Sequence, residues 1–286
     1  MTRTTGRNAV VARMRAARVW AAWVILGLVL FVGALLLRMP AGVVLDRVFA
    51  AAGDQGVTLS TESIAGPWWA GEIVGLAWRA QSSPNGAEES GALEAAVWRW
   101  RPMALLRGAV AFDLTMTVAS SRIEGRVEAG LGGVALHGLD GVLSAEGAMR
   151  VWSGWPLLLD GRLTADAVDV ALRRDGRFGA STGRLFWQGA GAGLPRPVSL
   201  GDQRVTLSER DGQLVLTFDS GPDATLALSG SLYLAGPAGD WRYAADVEAR
   251  VDDSVAGRQV GQALDALAAP SRIGDRVWRF VVNQQP

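Results

Sequence analysis

The chain of 286 residues carries a single histidine, His137, and no cysteine. A catalytic centre needs a nucleophile with a base, a pair of carboxylates, or a set of metal ligands. His137 lies in Val134-Ala135-Leu136-His137-Gly138-Leu139-Asp140, which reads as strand and turn. It has no second histidine or cysteine to share a transition metal with. Adjacent carboxylates occur at Glu88-Glu89 and Asp252-Asp253, in contexts that read as a loop and a helix start, where solvated carboxylates are ordinary. The run Gly189-Ala190-Gly191-Ala192-Gly193 has no lysine and no following helix, so it is not a phosphate loop. These residues predict a non-enzymatic protein without metal or cofactor. A hydrolase would require scattered carboxylates to converge in space.

Tryptophan is the unusual side chain, with twelve in the chain. Trp68-Trp69 and Trp98-Arg99-Trp100-Arg101 stand out as candidate partner-contact residues. In a strand, Trp98 and Trp100 share one face and Arg99 and Arg101 the other. Two readings stay open: an aromatic anchor for a partner or lipid, or a pair of core aromatics in a sheet.

The elements that must position these residues begin with Val19–Leu37, nineteen residues without a charged or polar side chain. A helix of that length covers roughly 28 Å at ~1.5 Å per residue, close to the ~30 Å hydrocarbon core of a bilayer. Residues 1–18 hold Arg3, Arg7, Arg13, Arg15 and Arg18 and no acid, so the N-terminus is expected on the cytoplasmic side. Trp20 and Trp23 lie at the inner end of the span. A cleaved signal peptide is the rival, but its apolar core is usually only ~7–15 residues, and Arg38-Met39-Pro40 is a poor cleavage site. The expected organisation is a cytoplasmic tail (1–18), a membrane span (19–37), a helical membrane-proximal linker (38–56) and an exported domain (57–286).

Charge is divided between these parts. Beyond Arg38, residues 41–286 hold all 28 acidic residues and 22 of the 28 basic ones, leaving that part near −6. That balance disfavours nucleic acid, which needs a basic footprint. Every cation is an arginine, and without cysteine the core alone must stabilise the domain.

Ala41 to about Ala52 has apolar residues at helical spacing (Val44, Leu45, Val48, Phe49), with Pro40 suited to its first turn. Beyond Gly56 the period changes to two. Val110, Phe112, Leu114, Met116 and Val118 alternate with smaller or polar residues, and Ile123–Leu131, Leu226–Leu234 and Trp241–Val247 repeat the pattern. Residues 203–218 predict a hairpin turning at Arg210-Asp211-Gly212. Further Asp-Gly pairs stand at 140–141, 160–161 and 175–176. Loops are expected at Gln81–Gly91 and Gly189–Pro197, one short helix at Val255–Ala268, and a closing strand at Val277–Val282. The fold class is mainly β: a curved antiparallel sheet, as an open barrel or sandwich-like domain.

Several motifs recur in order after the apolar run. They are Val57-Thr58-Leu59, Gly66-Pro67-Trp68-Trp69-Ala70-Gly71, Trp98-Arg99-Trp100-Arg101-Pro102 and Leu105-Leu106-Arg107-Gly108. Gly154-Trp155-Pro156, Gly161-Arg162-Leu163 and Gly183-Arg184-Leu185-Phe186-Trp187 follow. In this order and spacing they resemble the family of protein N of the bacterial type II secretion system. Pro67 departs from the pattern, standing where the family has threonine in Gly-Thr-x-Trp-x-Gly. The resemblance implies a single-span inner-membrane protein whose periplasmic domain serves the machine that exports folded proteins across the outer membrane. Its partners would be other components of that machine, and no enzymatic activity is attached to it. The architecture also allows a lipid-binding or lipid-conducting groove anchored in the membrane, as in AsmA-like or lipopolysaccharide-bridge proteins. The two differ in whether the apolar face is filled by bulky side chains or left open.

Overall fold

The computed structural model describes residues 37–54, 56–81, 88–151, 158–193, 197–236, 242–266 and 271–283. Except for Leu37, the expected span lies outside these residues, as do Trp155, Trp241 and Leu267. Among the described residues no helix is long and apolar enough to cross a membrane. The chain enters the fold through helix α1 (Ala41–Gly53), for which Pro40 stands in the extended N-cap position. Its fixed φ suits a helix start, where its missing N–H costs no helical bond.

Fifteen strands then form one antiparallel sheet. They are β1 (Val57–Ser60), β2 (Ser63–Ala65), β3 (Ala70–Gln81), β4 (Glu88–Trp100), β5 (Ala109–Val118), β6 (Ser121–Gly130), β7 (Gly133–Ser144) and β8 (Leu158–Arg173). There follow β9 (Thr182–Gly193), β10 (Val198–Arg210), β11 (Gln213–Ser220), β12 (Leu226–Ala235), β13 (Arg242–Val251), β14 (Ser271–Gly274) and β15 (Val277–Asn283). From β3 to β13 each strand pairs with the next in sequence, and the sheet ends at β1 on one side and β14 on the other. It is a single open sheet rather than two stacked ones.

Turn chemistry explains this path. The β10–β11 hairpin turns at Asp211 (φ 55°) and Gly212 (φ 80°), the paired positive φ that an Asp-Gly turn supplies. The pair at 175–176 also lies in a turn. The other two pairs do not. Asp140-Gly141 and Asp160-Gly161 sit inside β7 and β8 at register shifts. A bulge needs the same tolerance of unusual φ as a turn, and Gly161, at φ 101°, provides it.

Three further expectations are corrected. Gly189–Gly193 belongs to β9 and Glu88–Gly91 to β4, so the loops there are shorter than their composition suggested. Ala190 is fully buried, and a glycine–alanine alternation shows no hydrophobic contrast in sequence. A second short helix, α2 (Ala145–Val151), joins α3 (Val255–Ala266). α2 is too short to show a period, and it is held by Ser144, whose hydroxyl accepts the Gly147 N–H at 3.0 Å, and by Glu146–Arg150 one turn apart. A 3-10 helix, Pro102–Arg107, links β4 to β5.

The sheet curls. α2 contacts β4, β5, β7 and β8, yet β4 and β8 would lie about 19 Å apart on a flat sheet at ~4.8 Å per strand. A seven-residue helix, ~10 Å long, reaches both only if the strands bend around it. Trp78 of β3 reaches over as well, its indole N–H donating to the Val151 carbonyl at 3.2 Å. α3 plays the corresponding part further on, where Val260 and Leu264 pack with Leu200, Leu226, Ala249, Val251 and Trp278 into a buried cluster. A second cluster, Val168, Phe178, Leu207 and Leu214, lies beside it.

Candidate functional site

Cross-strand register defines the two faces. One row runs Ile73, Ala96, Met116, Ile123, Gly141, Ala165, Leu185, Val205, Phe218, Gly230, Val247 and Phe280. Every member is apolar or glycine, so one face is apolar across the sheet. Apart from Ile73, every member of this row is only half-buried. Residues of the opposite parity belong to the other face, where Arg99, Asp113, Arg126 and His137 form one polar row.

On that polar face charges are matched. Asp113 accepts from Arg101 Nε at 2.5 Å and from Arg126 Nε at 3.0 Å. Partial burial works against ionisation of Asp113, but the hydrogen bonds and positive charges of Arg101 and Arg126 outweigh it and hold the carboxyl below its usual range. Arg184–Asp166, Arg204–Asp219 and Arg279–Asp246 repeat the motif across other strand pairs. The hydrogen bond from Arg279, followed by its charge, lowers the Asp246 pKa too.

The residues considered for catalysis are engaged structurally. His137 Nδ1 lies 3.2 Å from Asp169 Oδ1, which also accepts the Gly138 N–H at 2.9 Å across the β7 bulge. Asp252 accepts from the amide and hydroxyl of Ser254, which in turn caps α3 through the Gly257 N–H. Asp253 is paired with Arg276. Among the described residues no group of three His, Cys, Asp or Glu side chains could hold a metal ion.

Four of the six singled-out residues meet where the chain enters the sheet. Gly66, at φ 88° with its Cβ position 2.5 Å from the Ala70 carbonyl, turns the backbone into Pro67-Trp68-Trp69. This segment forms a short ladder with the incoming chain: Ala41 N–H donates to the Gly66 carbonyl at 3.0 Å and Trp68 N–H to the Met39 carbonyl at 3.1 Å. Pro40 and Pro67 face each other in that bridge, so neither lost N–H was needed, and proline in the threonine position leaves the turn intact.

The indoles then staple the corner. Trp69 donates to the Leu37 carbonyl at 2.8 Å and Trp98 to the Trp68 carbonyl at 2.7 Å. Trp100 stacks at a 42° tilt on Trp68, with ring centroids 5.3 Å apart. The Trp98 ring lies over Gly71, its partner in register, where a Cβ would come within 2.4 Å of it. Trp98 and Trp100 are half-buried on one side of β4, whereas Arg99 and Arg101 are exposed.

Residues that sequence reading passed over lie beside this corner. Met103, Leu105 and Leu106 are exposed on the 3-10 helix, and their signal was the apolar run flanked by Arg101 and Arg107. Leu131, expected on the buried face of the strand Ile123–Leu131, instead stands exposed in the β6–β7 turn, because that strand ends at Gly130.

The family model that describes protein N of the type II secretion system (T2SS) matches residues 57–279, from the first strand to within β15. No curated protein and no solved structure matches the chain. The matched segment covers nearly the whole sheet and both capping helices, so the chain belongs to the type II secretion system protein N family.

Proposed function

We propose that the protein is a non-enzymatic inner-membrane component of the type II secretion system. In this reading Val19–Leu37 is the span, the N-terminus is cytoplasmic, and residues 57–286 form a periplasmic scaffold that contacts other components of the machine. Family membership carries the secretion role. Support for a scaffold comes from the sheet, a long surface with an exposed polar face. The test is loss of the chain in its host: exoproteins should accumulate folded in the periplasm and return to the medium when the full chain is restored. Unchanged export without the chain would contradict the proposal.

A second reading is a lipid-binding groove, favoured by one observation. The apolar row carries side chains such as Met116, Ile123 and Val205 that remain half-buried, while Leu228 beside it packs against the cluster that α3 closes. Phospholipid adducts from a photoreactive group at Leu228 would support it.

A further inference from the structure

We infer that one end of the sheet, the end with the 3-10 helix and the β6–β7 turn, is seated on the surface of an anionic lipid bilayer. The inference rests on reading Val19–Leu37 as a span. Strand direction gathers at this end the 66–69 corner, the 3-10 helix, the turn holding Leu131 and the turn after Arg173.

Three features converge there. First, Leu106 (80 % exposed), Leu131 (78 %) and Met103 (68 %) are the three most exposed large apolar side chains among the described residues. Surface side chains of this kind are unremarkable singly, but a group at one end marks a contact surface. Second, arginines frame them. An open recess brings Arg173 and Arg107, the latter paired with Glu128 at 3.2 Å, together with Leu131 and Val134, and the Arg174 N–H donates to the Gly132 carbonyl at 3.2 Å, tying the two turns. Arg173 and Arg174 are exposed and make no ion pair among the described residues. The turn after Arg173 also holds Asp175; at the other end, turns 221–225 and 252–254 hold Asp223, Asp252 and Asp253, the last paired with Arg276 of the 275–276 turn. Apolar side chains beside unpaired arginines match the layering of a bilayer interface, where acyl chains lie below anionic headgroups. Third, the expected span ends at Leu37, whose carbonyl is held by Trp69 at this same end. The neighbouring strand binds there too, through the Trp100 N–H to the Trp69 carbonyl at 2.6 Å, and the 3-10 helix starts two residues later. A chain leaving the membrane at Leu37 therefore brings Leu106 and Leu131 down towards the lipid, with the opposite end of the sheet pointing away.

The absence of cysteine makes the test direct. Leu106→Cys, Leu131→Cys and Ser120→Cys, each in the full chain and labelled with a nitrobenzoxadiazole fluorophore, are reconstituted in phosphatidylethanolamine–phosphatidylglycerol vesicles containing a doxyl-labelled lipid quencher. The labels at 106 and 131 should be quenched at least twofold more than the one at 120. Combining Arg173→Glu with Arg174→Glu should narrow that gap. Equal quenching at all three positions, or none at 106 and 131, overturns the inference. So does crosslinking of 106 and 131 in cells to a protein while both stay unquenched in vesicles. Extraction with alkaline carbonate separates the two readings: an extracted chain fails as an anchored protein, whereas an anchored chain with unquenched 106 and 131 loses only the seating.

Discussion

Two tryptophan-rich regions of this sheet use the same side chain for different ends. Trp278, in β15, is 3 % exposed and lies inside the cluster closed by α3. Its indole N–H donates to Asp265 at 2.9 Å and the Arg272 guanidinium lies 5.5 Å from its ring centroid. Trp68, Trp69, Trp98 and Trp100 are only partly covered, and the indoles of Trp69 and Trp98 bond to backbone carbonyls. The first region is a hydrophobic core with a polar handle; the second is a joint between the incoming chain and the sheet. Identical residues near strand ends thus report on packing in one place and on chain entry in the other, and the hydrogen-bond acceptor tells them apart.

The largest test of that contrast is Trp278→Ala, which should cost about 3–5 kcal/mol, as for other buried aromatic truncations, read from denaturant unfolding. At the joint, Gly71→Ala sets a methyl against the Trp98 ring and the Ala65 carbonyl, 2.7 Å from the Cβ position. A destabilisation of about 1–3 kcal/mol is expected, the usual cost of overpacking. Trp98→Phe keeps most of the apolar bulk but leaves the Trp68 carbonyl without its donor, so it should cost about 1 kcal/mol. If Trp98→Phe proved as damaging as Trp278→Ala, the joint would be a core after all.

The smallest effect belongs to the polar face. Asp113→Asn should cost less than about 1 kcal/mol, because its ion pairs are partly exposed and screened. The Asp113 carboxyl is depressed below 3.8 in the folded protein, so its contribution is complete above that value. It is lost as pH falls through the lower folded pKa, where the unfolded chain binds the proton more readily. Acid unfolding of Asp113→Asn should therefore be shallower than that of the parent chain below about pH 4.

Much of the fold was legible because a half-covered antiparallel sheet leaves its period in the sequence. Val110–Val118 and the 203–218 hairpin are cases in which large apolar side chains alternate with polar ones and Asp-Gly closes the turn. The misreadings arose where that contrast fades. Small residues in Gly189–Gly193 carry no pattern, and α2 depends on the capping hydroxyl of Ser144 and on a neighbouring strand, where Gly91 leaves no room for a Cβ against the Val151 carbonyl. Asp-Gly is ambiguous because a bulge and a turn ask the same backbone freedom of glycine. At the corner, the alternation of Trp98 and Trp100 with Arg99 was visible in sequence. That Trp69 reaches back 32 positions to Leu37 was not, since no local period encodes such a contact.

The most direct measurement of the account is photo-crosslinking in secreting cells from single positions on the two faces: Arg99 and Ser229 on the polar side, Leu228 on the apolar side. A scaffold of the secretion machine predicts adducts to other type II secretion components from Arg99 or Ser229, with Leu228 silent. Lipid adducts from Leu228, with both polar positions silent, would contradict it and make the sheet a groove.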